Sequence, residues 1–243
     1  MGQAKRVLTI DAGNTAVKIA TFVDGELIGV ERVITSSFID TPKKYLSGER
    51  DVIVLSSVLE PETTDELIKT MGTVFRIDHS TETGLNLRYD NPASLGIDRI
   101  CNAAAIRQQA RSTHAVSVDI GTCVKFDLVS GKDYLGGSIS PGIDLRYRAL
   151  NDYTANLPLQ SERDLSQLNG QSTSASILSG VMNGMDCEIK GMMQRYAEEY
   201  SDLTFFVTGG DSAHFDFHGK NNIFADENLT LKGLYYIYLA NVH

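Results

Sequence analysis

The segment Asp11-Ala12-Gly13-Asn14-Thr15-Ala16-Val17-Lys18 brings together residue types that suit a polyphosphate. Glycine lets the backbone approach an anion closely, and a tight turn aims successive N–H groups at its oxygens. Asn14 and Thr15 add side-chain donors, and Lys18 adds a cation of the kind that neutralises a γ-phosphate. Asp11 can reach Mg²⁺ directly or through its waters. One such loop could equally be an ordinary hairpin held by Asx-turn chemistry. A second copy favours the phosphate reading. Leu8-Thr9-Ile10-Asp11-Ala12-Gly13 matches Val116-Ser117-Val118-Asp119-Ile120-Gly121, 108 residues further on. After a one-residue gap, Val17-Lys18-Ile19 matches Val124-Lys125-Phe126. The alternative is coincidence between two strand–turn–strand segments, which the shared Asp-x-Gly and Val-Lys weaken.

Both loops need strands on either side. Val7 to Ile10 is a β-branched run, Val17, Ile19 and Thr21 alternate onward, Asp24-Gly25 turns the chain, and Leu27 to Val33 returns. The second half repeats this with Ala115 to Val118, then Val124, Phe126 and Leu128, a turn at Ser130-Gly131, and Asp133 to Ile139. Val52 to Val58 reads as a strand buried on both faces. Helices are expected from Pro61 through Met71, from Gly96 to Arg111, from Ser172 to Tyr200 and from Glu227 to Ala240. In the longest, Ile177, Val181, Met185, Ile189, Met192 and Tyr196 recur close to every fourth residue, interrupted by Gly180 and Gly184. Strands alternating with helices give an α/β fold. The repeat suggests two similar domains, 1–112 and 113–243.

The 243 residues suffice for one large domain or two modest ones. A net charge of −9 disfavours broad binding to nucleic acid or an acidic membrane. Cys101, Cys123 and Cys187 are odd in number and scattered, so they read as buried free thiols in a reducing compartment. Met1 to Arg6 runs directly into the first strand without a signal-peptide pattern, and no apolar run has membrane length. The cytoplasm is the expected location. The P-loop, the protein-kinase set, a Gly-x-Gly-x-x-Gly after a strand and a Gly-x-Ser-x-Gly elbow are all absent from the sequence. His214 and His218 lie four apart, but no further ligands surround them, so they read as surface or structural residues.

Two Asp-x-Gly hairpins in a duplicated α/β chain resemble the superfamily of actin, sugar kinases and heat-shock chaperones. Finer motifs resemble type III pantothenate kinase. They are Asp11-Ala-Gly-Asn-Thr-x-x-Lys18, Tyr89-x-Asn-Pro92, Gly96-Ile-Asp-Arg99, Asp119-Ile-Gly-Thr122, Gly136-Gly-x-Ile-x-Pro-Gly142, Ser172-Thr173 and Thr208-Gly-Gly210, in family order. The resemblance implies an actin-like (ribonuclease H-like) ATPase fold with the active site in the cleft between the domains. It also implies ATP-dependent phosphorylation of pantothenate, the entry step to coenzyme A, by a homodimer using Mg²⁺ and a monovalent cation, potassium or ammonium.

Roles follow by position from the same resemblance. Asp11, Ala12, Gly13, Asn14, Thr15, Ala16, Val17 and Lys18 would hold the ATP phosphates, with Thr122 opposite. Asp98 would take the proton from the pantothenate hydroxyl. Tyr89, Gly96, Ile97, Asp98, Arg99 and Thr173 would contact pantothenate, and Asp119 would bind the monovalent cation. Gly136 to Gly142 and the helix after it would lie near the dimer interface, and Thr208 to Gly210 would border the adenosine. Asp98 could instead merely cap its helix, and Arg99 could be a surface salt bridge.

The chain departs from the family pattern at Cys123-Val124-Lys125-Phe126-Asp127, where lysine replaces the usual threonine. Lys125 mirrors Lys18 and could point at phosphate, or at solvent on an alternating strand; Cys123 reads as a packing residue. Two rival readings are a non-catalytic regulator of the same fold and another small-molecule kinase of the superfamily. The retained Asp11, Lys18, Asp98 and Asp119 argue against the first, and the Gly-x-Asp-Arg and Tyr-x-Asn-Pro motifs against the second.

Overall fold

The computed structural model describes residues 6–46, 52–165, 167–217 and 222–242. The chain forms two compact units, one of residues 1–108 with 228–243 and one of residues 109–227.

In the first unit, β1 (Arg6–Ala12), β2 (Ala16–Val23) and β3 (Glu26–Ile34) form an antiparallel meander. After α1 (Thr35–Asp40), β4 (Val52–Ser57) pairs parallel with β1. After α2 (Pro61–Met71), β5 (Val74–Arg76) pairs parallel with β4. The sheet order is β3-β2-β1-β4-β5. Period-2 alternation sends Ile10, Ala12, Val17, Ile19, Ile53 and Leu55 to one face, where Phe38 of α1 and Leu67 and Met71 of α2 cover them. A short β6 (Asn86–Leu87) leads toward α3 (Ile97–Gln109).

The second unit repeats this wiring. β7 (His114–Ile120), β8 (Cys123–Ser130) and β9 (Asp133–Pro141) form the meander. Helices α4 (Ile143–Asp152) and α5 (Thr173–Glu199) follow, and then β10 (Leu203–Thr208) and β11 (Ile223–Ala225) extend the sheet in parallel as β11-β10-β7-β8-β9. The duplicated α/β fold expected from the repeat is therefore present strand for strand. Asp11 pairs with Lys18 across β1 and β2, and Asp119 pairs with Lys125 across β7 and β8.

One assignment differs from the expected division at residue 112. The last helix, α6 (Leu229–Ala240), belongs to the first unit. It packs on β1, β2 and β4, and Tyr235 stacks on Phe22 at 4.2 Å between ring centroids. Gly233 permits this, because a Cβ there would lie 1.9 Å from the carbonyl oxygen of Cys101 on α3.

The long helix α5 begins where expected, with Ser172 accepting a hydrogen bond from the Ala175 N–H at 3.2 Å as its N-cap. Ile177, Val181, Met185, Ile189 and Met193 are buried in the second unit's own core against β7, β8 and β10, while Met192 and Tyr196 pack at its margin. The apolar face of α5 is thus consumed largely inside the unit. Gly180, Gly184 and Gly191 are exposed instead.

Candidate active site

Each hairpin loop is fixed by its own neighbours. In the first, the Gly13 N–H donates to the Ala16 carbonyl at 3.1 Å, which leaves Asn14 and Thr15 exposed between them. The Thr35 hydroxyl donates to the Gly13 carbonyl at 2.7 Å, and the Val58 N–H donates to the Ala12 carbonyl at 3.0 Å. Thr35 had not been singled out. Its signal is faint, a threonine closing the third strand of the meander. Lys18 forms no ion pair among the described residues. The turn therefore presents polar groups outward from a backbone that is already anchored, as anion binding requires.

In the second hairpin the Gly121 N–H donates to the Cys123 carbonyl at 3.1 Å, so only Thr122 projects. Two glycines allow other segments to press on this loop. The Gly142 N–H donates to the Thr122 carbonyl at 3.0 Å, and a Cβ on Gly142 would lie 2.0 Å from the Gly121 oxygen. Gly209 has φ +95°, and a Cβ there would lie 2.2 Å from the Ile120 oxygen. The Asp211 N–H also donates to the Ile120 carbonyl, at 2.9 Å. Thr208 to Gly210 and Gly142 therefore belong to the setting of the second loop. Arg163, which sequence reasoning passed over, bridges Asp211 at 2.8 Å and Asp144 of α4 at 2.7 Å. Burial acts to lower its pKa, but the hydrogen bond to Asp144 and the nearby charge of Asp211 together outweigh it and raise the pKa.

Lys125 meets a carboxylate across its own hairpin. Its ammonium lies 2.8 Å from Asp119 Oδ2, and the two side chains are only 17% and 14% exposed. It is not a solvent-facing strand residue, and its charge is directed at a carboxylate of its own hairpin.

Asp98 sits in the first turn of α3 and is partly buried. Arg99 beside it is 5% exposed, which removes the reading as a surface salt bridge. Burial pushes the Cys101 thiol well above its ordinary pKa, and the carboxylates of Asp11 and Asp98 push it further. Asp11 of the first hairpin and Asp98 at the start of α3 thus both act electrostatically on one buried thiol. Tyr89 is partly buried and precedes the exposed 3-10 turn Pro92–Ser94. Thr173 starts α5 and lines a groove of about 760 Å³ with Arg146, Leu150, Leu157, Ile177 and Gly180; no residue of the second hairpin lines that groove.

The cysteines are free, as expected, but not uniformly buried: Cys101 is buried, Cys123 is intermediate and Cys187 on α5 is exposed. Of the histidine pair, His218 lies outside the described residues, as do Met1 to Lys5. Among the described residues, no cluster of three or more His, Cys, Asp or Glu side chains could hold a metal ion, and no helix is long and apolar enough to cross a membrane.

The profile of the type III pantothenate kinase family matches residues 7–195. A type III pantothenate kinase from Christiangramia forsetii is 34% identical over 235 residues, covering 95% of this chain and 96% of the relative. One from Phocaeicola vulgatus is 35% identical over 231 residues, covering 93% and 95%. Among solved structures, a Campylobacter jejuni protein described under the Baf family of transcriptional activators aligns with a TM-score of 0.64. It is 21% identical, over 96% of this chain and 98% of that one, a likeness of fold alone. With the duplicated hairpins and the Gly-Ile-Asp-Arg helix start in place, the chain belongs to the type III pantothenate kinase family.

Proposed function

We propose that this chain transfers the γ-phosphoryl group of ATP to the hydroxyl of pantothenate, giving 4′-phosphopantothenate for coenzyme A synthesis. Phosphoryl transfer asks an enzyme chiefly to position the reactants and to neutralise charge. The loop from Asp11 to Lys18 takes the phosphates: its backbone is anchored by Thr35 and Val58, its polar groups at Asn14 and Thr15 face outward, and the Lys18 ammonium meets the γ-phosphate. Thr122 adds a donor from the second hairpin. Asp11 is the carboxylate of this chain suited to hold the Mg²⁺ of Mg-ATP, which would supply charge neutralisation for the phosphates.

Asp98 accepts the proton of the attacking hydroxyl, while Tyr89, Gly96, Ile97, Arg99 and Thr173 hold pantothenate. The buried guanidinium of Arg99 suits the pantothenate carboxylate, since a desolvated planar cation recognises a carboxylate through paired hydrogen bonds. The observation that carries the reading is the anchored first hairpin, whose Gly13 and Ala12 carbonyls are held by Thr35 and Val58 while Asn14 and Thr15 face outward.

The same reading includes a homodimer in the cytoplasm. Support for the dimer comes from the exposed glycines of α5 and the largely apolar groove between α4 and α5, which admit a close neighbour. Sedimentation giving a monomer mass at working concentration would remove the dimer. The kinase reading is tested by ADP release from ATP and Mg²⁺ with pantothenate and with a panel of sugars. Release is expected with pantothenate alone, and release driven by a sugar would move the chain to another acceptor class.

A further inference from the structure

The resemblance implies a potassium or ammonium ion on Asp119, and the residues present do not fit one. Asp119 Oδ2 already receives the ammonium of Lys125 at 2.8 Å. The two residues are direct cross-strand partners at the mouth of the second hairpin, so the contact follows from register and does not need a long reach. Both side chains are mostly buried, which makes separating them costly, because a bare carboxylate and a bare ammonium would remain. The loop cannot easily swing away either. Gly142 and Gly209 let the backbone press against Gly121 and Ile120 at distances that leave no room even for a methyl group.

Register alone does not dictate this pairing. Asp11 and Lys18 stand opposite each other in the same way in the first unit, yet Lys18 forms no ion pair among the described residues. A lysine head group is chemically a substituted ammonium ion, with three donors and one positive charge.

We propose that Lys125 supplies from within the chain the positive charge that a monovalent cation would bring to Asp119, so that phosphoryl transfer here proceeds without potassium or ammonium. This rests on the kinase reading, and its test includes an arm that does not. In the first arm, pantothenate-dependent ADP release is compared in potassium chloride and in choline chloride at equal ionic strength. The wild type is expected to change kcat/KM by less than about twofold. Lys125→Thr is expected to lose about tenfold or more in choline and to recover in potassium, since it leaves the Asp119 charge unbalanced until an ion enters. The second arm needs no turnover. The melting temperature of the wild type is expected to be the same in both salts, whereas Lys125→Thr is expected to be stabilised by potassium in a concentration-dependent way.

A wild type that requires potassium, or that melts higher in potassium than in choline, would overturn the proposal. So would a Lys125→Thr variant as active in choline as the wild type. If pantothenate releases no ADP in any salt, the kinase reading fails, and the melting arm still decides whether Lys125 fills the cation position.

Discussion

The two hairpins share a topology and a register but not a chemistry. In the first, two exposed polar residues separate Gly13 from Ala16, and Lys18 has no ion-pair partner among the described residues. In the second, a single exposed residue separates Gly121 from Cys123, and Lys125 is held by Asp119. One residue of loop length and one ion pair thus divide a duplicated element into an open form and a closed form. An open loop with an available cation suits the mobile, highly charged end of a nucleotide. A closed loop braced by Gly142 and Gly209 suits a fixed wall. The two copies share the scaffold and differ in the few side chains at its mouth.

The largest expected effect lies outside both hairpins, at Asp98, the proposed proton acceptor. Asp98→Asn keeps the shape of α3 but cannot accept a proton, and turnover is expected to fall by about 10²- to 10⁴-fold. Equilibrium binding of a non-hydrolysable ATP analogue should be preserved. Near wild-type turnover would reduce Asp98 to a helix cap.

Next in size is the contrast between the lysines. Lys18→Ala should lower kcat/KM for ATP by about 10²-fold, with little change in pantothenate affinity. Asp11→Ala should act in the same direction. A loss confined to pantothenate affinity in either variant would break the assignment of the first hairpin to phosphate.

A smaller effect measures how tightly the second hairpin is braced. Gly209→Ala forces a side chain into φ +95° and against Ile120, and is expected to destabilise by at least about 1–3 kcal/mol in denaturant unfolding. Gly136→Ala, at φ +96° but with open space around its Cβ, should cost only about 1 kcal/mol. Equal costs at the two positions would mean that contact with Ile120 does not hold the loop.

Much of this was legible in the chain because the repeat is local. Each Asp-x-Gly turn, its flanking alternation and its following Val-Lys lie within some fifteen residues, so pattern alone locates the meanders and the Ser172-capped helix. What escaped depends on contacts distant in sequence. The last helix joins the first unit because Gly233 fits against Cys101, more than a hundred residues earlier, and no local period encodes that. Strand β10 carries the short run Leu203-Thr204-Phe205-Phe206-Val207, whose length and apolar content suit a strand but whose place in the sheet depends on pairing with β7, about ninety residues earlier. Helix α4, the helix expected after Gly142, shows Ile143, Tyr147 and Leu150 at helical spacing. The partner of Lys125 needed the cross-strand register, since a strand pattern tells which face a side chain takes but not which residue stands opposite.

The central claim is that the open hairpin and Asp98 together pass a phosphoryl group to pantothenate. Incubating the purified protein with ATP, Mg²⁺ and pantothenate, and following the acceptor by mass spectrometry, tests it most directly. The account predicts pantothenate carrying one added phosphoryl group, formed in step with ADP and reduced to a trace by Asp98→Asn. ATP consumed while pantothenate remains unmodified, or phosphopantothenate formed equally well by Asp98→Asn, would contradict it.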